Sequence, residues 1–199
     1  MNAVQRFSQA VAADHAALRE FGGRYNANRE PAGSLFADLV QRIGFQMLFV
    51  VRLMHLARDL RIPLAGPVLS RLIRHLYGAE IHWEAAIAPG ISIVHGNGLV
   101  ISRSASVGAG CLLFQGVTLG ESMDPVSGVQ GAPTLGRNVH IMPNAVLIGP
   151  IEVGEGSKVQ ANVTLSSSVA SRTSVRGPAP EFFTRSGVPA PPITDKDSR

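Results

Sequence analysis

Residues 80–119 read EIHWEAAIAPGISIVHGNGLVISRSASVGAGCLLFQGVTL, and residues 134–165 read TLGRNVHIMPNAVLIGPIEVGEGSKVQANVTL. Aliphatic residues return at every sixth position: Ile81, Ile87 and Ile93, then Ile101, Val107, Leu113 and Leu119, then Leu135, Ile141, Leu147, Val153, Val159 and Leu165. A second series of small or β-branched residues follows four positions behind, as at Ala85, Ile91, Ala105, Cys111, Val117, Val139, Ala145, Ile151, Ser157, Val163 and Val169. A helix repeats near 3.6 residues and an ordinary strand alternates by two, so neither produces this period. Three short strands joined by tight corners do. They close a triangular coil of about eighteen residues, and coils stacked at about 4.8 Å bury each aliphatic on its counterpart one coil away. The pattern predicts a left-handed parallel β-helix built on a six-residue repeat.

The repeat is interrupted twice without losing phase. The unit starting at Ile93 has eight residues, which places a two-residue bulge near His95 to Val100, and the unit starting at Leu119 has sixteen, which places a long loop at Gly120 to Thr134. Insertions that leave a core register intact are where sites are built. Ahead of the repeat the pattern is helical. Residues 3–21 form one helix, the stretch Gly22 to Gly33 with Pro31 breaks it, and Ser34 caps a second helix from about Leu35 to Leu60. Ile62-Pro63 opens a third segment with Leu64, Val68, Leu69, Leu72, Ile73 and Leu76 at helical spacing. The chain is therefore read as a helical region over 1–79, a β-helix over 80–180 and a Pro-rich tail over 181–199.

The 199 residues are 45% hydrophobic and 16% charged, enough apolar content to bury a core. The net charge of +4 comes without a basic block or aromatic interleaving, so nucleic acid is not an expected partner. The single cysteine, Cys111, excludes an internal disulfide and is expected to pack rather than react. Asp14, His15 and Glu20 stand where an export signal needs an apolar run, so the expected location is the cytoplasm. The most apolar run, Ile43 to Ala57, is interrupted by Gln46, Arg52 and His55 and is shorter than a bilayer span. It reads as a buried or interfacial helix, which leaves peripheral membrane contact open.

The stretch EIHWEAAIAPGISIVHGNGLVI resembles the DIHPAA…IG.GI…DH.TGIVIG segment of the serine acetyltransferases and their relatives among hexapeptide-repeat acyltransferases. FQGVTLG resembles that family's VTLGG strand and IGPIEVGEGSKVQANV its LGNIEVG.GAKIGAGSVV stretch. In the helical region, REPA at Arg29 to Ala32 resembles RDPA, and GFQMLFVVRLMH at Gly44 to His55 resembles GFHALQAYRIGH. The resemblance implies acetyl-CoA as acyl donor, a hydroxyl acceptor and no metal, with His95 as the base and Glu80 as the carboxylate that orients it. Glu80 precedes Ile81 as Val100 precedes Ile101, which should set it one rung from Val100, beside the bulge. His82 matches a family position but has no proton-transfer task. For His15, His55, His75 and His140 the expected setting is solvent or a corner. By the same resemblance Gly120, Pro143 and Ala161 would wall the coenzyme A groove, Lys158 and Arg172 would meet its phosphates, and the chain would form a homotrimer or a dimer of trimers.

The likeness fails where the family holds the serine zwitterion. Val94 replaces the aspartate before the catalytic histidine, and Gly131-Ala132 replaces an Arg-His pair. Only Glu30, in REPA, keeps one amine-binding carboxylate. Losing a cationic clamp removes a charge-assisted contact, so a larger hydroxylated acceptor, a sugar or polysaccharide precursor, is the leading expectation here, with serine as the alternative. A non-catalytic trimeric scaffold is the second alternative. A zinc enzyme on the same architecture would need three histidine ligands, and the spacing of His82, His95 and His140 does not reproduce that arrangement. The chain ends Asp-Ser-Arg, without the isoleucine through which the family docks on cysteine synthase, so that partner is not expected.

Overall fold

The computed structural model describes residues 1–25, 33–124 and 127–178. The repeat folds as the expected left-handed parallel β-helix, with three flat parallel sheets of five, four and five strands. The first sheet stacks Glu80–Ile81, Val100–Ile101, Thr118–Gly120, Val146–Ile148 and Thr164–Leu165. The second holds Ala86–Ile87, Ser106–Val107, Thr134–Leu135 and Glu152–Val153. The third holds Ser92–Val94, Leu112–Phe114, His140–Ile141, Lys158–Val159 and Ser174–Val175.

The register is the one that the six-residue period demands. Ile81, Ile101, Leu119, Leu147 and Leu165 are Cα partners down the first sheet, and Ile87, Val107, Leu135 and Val153 are partners down the second. Ile93, Leu113, Ile141 and Val159 do the same in the third. The four-behind series also points inward: Ala85, Ile91, Ala105, Cys111, Val117, Val139, Ala145, Ile151, Ser157 and Val163 are all buried. Stacked aliphatics on both sides of each corner make one continuous apolar core. The coil also outlasts the regular repeat. After Leu165 a four-residue step brings Val169 against Val153, and a further six residues bring Val175 against Val159, so the repeat resets and the stacking continues.

Among the described residues four helices precede the coils: α1 (Ala3–Tyr25), α2 (Leu35–Gln41), α3 (Ile43–Asp59) and α4 (Ala65–Tyr77). Ser34 caps α2 as anticipated, its hydroxyl accepting from the Ala37 N–H at 3.3 Å. The single helix expected to Leu60 is instead bent by 106° at Arg42, which is extended at φ −112 and ψ 98. The bend lets α3 lie directly on the third sheet, where Gly44 is the contact point: a Cβ there would sit 1.9 Å from the Ile93 carbonyl oxygen. The apolar run of α3 is therefore core, with Phe45, Met47, Leu48, Val51 and Met54 all buried. No single helix among the described residues is long and apolar enough to cross a membrane.

One buried ion pair bolts this helical cap to the first coil. Arg52 Nε and Nη2 donate to the two carboxylate oxygens of Asp14 at 2.7 and 3.0 Å, and Nη1 and Nη2 donate to the Ile87 and Ala88 carbonyls at 2.7 and 2.8 Å. Asp14 also accepts from the Gly90 N–H at 2.8 Å. Both charges are desolvated, yet their hydrogen-bonding atoms have partners, the condition under which a buried pair is tolerated. On the outside of the cap, Leu64, Val68, Leu72 and Leu76 form an exposed apolar row with Arg71 and Arg74 nearby.

Candidate functional site

The corner that leads from the third sheet into the first collects one residue from each coil. His95, Gln115, Pro143 and Ala161 each lie two positions after an inward aliphatic of the third sheet, namely Ile93, Leu113, Ile141 and Val159. Backbone bonds run down the corner from coil to coil: Gly116 N–H to the Asn97 carbonyl at 2.8 Å, Asn144 N–H to Gln115 at 3.0 Å and Asn162 N–H to Pro143 at 3.0 Å. Gly116, Asn144 and Asn162 take positive φ there, as residues with no Cβ or a short amide can.

The first coil departs from this regularity. Two extra residues form a tight turn in which the Gly96 N–H donates to the Val94 carbonyl at 2.9 Å, with His95 at its centre and at φ 66. A bulky side chain in the left-handed region is strained and persists where the surroundings impose it. They do so here, because Gly96 is pressed against Met47 of α3, close enough that a Cβ would meet its sulfur at 2.5 Å. The imidazole of His95 is thereby presented outward, exposed.

Glu80 takes its expected backbone place. It is the Cα partner of Val100, and its N–H donates to the Leu99 carbonyl at 2.7 Å, which ties it to the end of the bulge. Its carboxylate, however, reaches Arg74 at 3.3 Å on the surface, and no hydrogen bond joins it to His95 among the described residues. Val94 lies on the outer face of its strand opposite Phe114.

The long insertion is a β-hairpin instead of an open loop. Ser122–Met123 pairs antiparallel with Gln130–Gly131, and Asp124 closes the turn by accepting from the N–H and hydroxyl of Ser127 at 2.6 and 2.8 Å. Gly131 lies flat on Pro150, where a Cβ would come within 2.9 Å of the proline Cβ, and Ala132 is buried. These two positions face protein, so close packing, and not an open pocket, explains why they carry no large side chain.

The expected coenzyme positions are dispersed within one chain. Pro143 and Ala161 share the corner of His95, whereas Gly120 ends the middle strand of the first sheet, opposite Ile148. Lys158 stands on the third sheet between His140 and Ser174, and Arg172 occupies the corner entering that sheet, its N–H on the Glu155 carbonyl at 2.8 Å. A cleft of about 280 Å³ near that second corner lies between the end of α1 and Ser92, Leu112, Asn138 and His140. Glu30 falls outside the described residues.

Other titratable groups are more engaged than the sequence suggested. His15 does not face solvent: its Nε2 is 2.9 Å from Asp38 Oδ2, while Arg42 Nε donates to Oδ1 at 3.1 Å. Burial alone would raise the Asp38 carboxyl, but the hydrogen bonds from His15, Arg42 and the Gly33 backbone and the charge of Arg42 hold it below its usual range. His55 is lowered to about 4 by burial, reinforced by the charges of Arg52 and Arg58. His75 is hydrogen-bonded to the Arg71 carbonyl at 2.8 Å, and His82 stacks on Trp83 at 5.0 Å. Burial pushes the Cys111 thiol up to about 11, and it donates to the Gly136 carbonyl at 3.1 Å, the behaviour of a packing cysteine. No group of three or more metal-ligating side chains occurs among the described residues. The polar residue that the sequence reading passed over is Gln115; its position two after Leu113, matching that of His95 after Ile93, was the available signal.

The bacterial transferase hexapeptide family (six repeats) matches residues 132–167. A serine acetyltransferase of Synechococcus elongatus is 39% identical over 150 residues, covering 75% of this chain and 61% of the relative. One from Helicobacter pylori is 32% identical over 142 residues, covering 71% of this chain and 82% of the relative. Among solved structures, Neisseria gonorrhoeae serine acetyltransferase in complex with serine superposes with a TM-score of 0.74 at 29% identity, over 87% of this chain and 67% of that one. The soybean serine acetyltransferase apoenzyme gives 0.71 at 30% identity, over 87% and 68%. The chain spans less than two thirds of the length of the Synechococcus elongatus relative.

Proposed function

Because the chain belongs to the serine acetyltransferase family of hexapeptide-repeat proteins, we propose that it transfers an acetyl group from acetyl-CoA to the hydroxyl of serine. The observation that carries this reading is His95, held at positive φ in a turn that interrupts the coil and presents its imidazole at the corner lined by Pro143 and Ala161. The relatives bear the name serine acetyltransferase, and one similar structure holds serine, which favours serine over the sugar-like acceptor that the altered residues first suggested.

The chemistry needs one proton to move. A free alkoxide is inaccessible at neutral pH, and an imidazole takes the proton as the bond forms, contributing about 10²–10⁴-fold. The serine oxygen attacks the thioester carbonyl while its proton passes to His95. The tetrahedral adduct collapses with cleavage of the carbon–sulfur bond, and the imidazolium returns the proton to the leaving thiolate, giving the acetyl ester and coenzyme A. Glu80 turns from Arg74 toward the ring when substrates bind, fixes its tautomer and supports the imidazolium. Backbone N–H groups of the corner assist the oxyanion.

The working unit is a homotrimer. Gly120, Lys158 and Arg172 stand away from the His95 corner within one chain, so a donor running from His95 past Pro143 and Ala161 meets them on a neighbouring copy. Glu30 takes the serine ammonium. A second reading, a larger hydroxylated acceptor, rests on Gly131 and Ala132, which offer no cation to a carboxylate. Thiol release from acetyl-CoA, measured with serine, free sugars and nucleotide sugars in parallel, separates the two. Turnover confined to serine supports the first; turnover of a sugar with none of serine overturns it.

A further inference from the structure

Gln115 is the unexplained polar group of the corner. Ser92, Ile93 and Val94 are in register with Leu112, Leu113 and Phe114 up to the residue before it, so Gln115 follows its strand as His95 follows the neighbouring one. Adjacent strands lie about 4.8 Å apart. The side chain thus starts one rung from the imidazole, on the side toward Pro143 and Ala161. Those two side chains can neither donate nor accept, which makes Gln115 the other hydrogen-bonding side chain among the four corner positions.

Its amide oxygen Oε1 is buried and has no hydrogen-bond partner among the described residues. A buried acceptor left without a donor is destabilising, and an apolar side chain of the same size would fill the space without that cost. The corner uses apolar residues at 143 and 161 but not at 115. An acceptor kept unpaired beside a base is suited to a donor that arrives with the ligand.

We propose that Gln115 contacts substrate directly, its amide carbonyl receiving an N–H group of a ligand bound against His95. This rests on the acetyl-transfer reading. Two N–H groups come that close to the reacting atoms: the amide of the acyl donor's arm nearest the thioester, and the ammonium of an amino-acid acceptor. For the second, Val94 offers no carboxylate, so a neutral acceptor one rung away stands in its place.

The test compares the full chain in its native assembly with Gln115→Met, which fills the space without an acceptor, and Gln115→Glu, which restores one. Acetyl-CoA affinity is read by calorimetric titration, which needs no acceptor, and the KM for serine by steady-state kinetics. Loss of one hydrogen bond raises one of these constants about tenfold in Gln115→Met, the equivalent of about 1.4 kcal/mol. The thermal midpoint stays level or rises, because an unsatisfied group has been removed, and Gln115→Glu recovers the lost affinity. A rise in the acetyl-CoA constant identifies the donor's amide, and a rise confined to serine identifies the ammonium. Both constants within twofold of wild type overturn the proposal, as does a Met variant whose midpoint falls or whose assembly dissociates. If the wild-type chain does not acetylate serine, the functional reading fails separately, and an unchanged acetyl-CoA affinity then overturns the role of Gln115 on its own.

Discussion

The two interruptions of the coil are built in opposite ways. The bulge at His95 is short and strained, and it is clamped from behind by α3, which reaches it through Gly44 and Met47 and is itself held by the buried pair of Arg52 and Asp14. The hairpin of Ser122–Met123 and Gln130–Gly131 is longer, closes on its own turn and leans on one proline. The bulge that carries the histidine has extensive support, whereas a segment that stands outside the coil can change composition while the core beneath keeps its register. This difference shows that an insertion braced by a helix and one that closes on itself both leave the register of the coil intact.

Breaking the clamp should have the largest effect. Arg52→Met leaves the Asp14 carboxylate buried with its ion-pair partner gone, and chemical denaturation is expected to show a loss of about 3–5 kcal/mol. Acetyl transfer should fall with it, since α3 no longer braces the bulge. A smaller effect is expected from acid. His55 is held at about 4, so the folded chain resists a proton that the unfolded chain accepts near 6.5. Its contribution to stability is fully present above 6.5 and is lost as pH falls toward 4. Denaturation midpoints should decline across that window, and His55→Gln should flatten the decline. The smallest effect belongs to the hairpin: Gly131→Ala pushes on Pro150 yet should cost under about 1 kcal/mol, because the segment shifts outward without disturbing a coil. A loss as large as that of Arg52→Met would erase the contrast between the two regions.

Most of the β-helix was legible because its stabilising contact is periodic: Ile101 buries on Ile81 and Leu119 for the same reason that Leu147 buries on Leu165. The bulge at His95 was legible from the eight-residue unit that holds it. The bend at Arg42 was not, because it answers to a contact between Gly44 and a strand 49 residues later. The pairs Asp14 with Arg52 and His15 with Asp38 join residues 38 and 23 apart, and no local pattern announces them. The terminal reset at Val169 was obscured by a four-residue step that breaks the period while keeping the stacking. Gln115 was hidden by the reverse circumstance: it occupies a regular corner position, which aligns it with His95 but does not set it apart until its buried oxygen is seen without a partner among the described residues.

The central claim, that the bulge delivers a general base, is tested most directly by His95→Ala, assayed for acetyl transfer from acetyl-CoA to serine at saturating substrate. The expected result is a fall in kcat of about 10²–10⁴-fold with acetyl-CoA affinity and thermal midpoint retained. Transfer at the wild-type rate would contradict it.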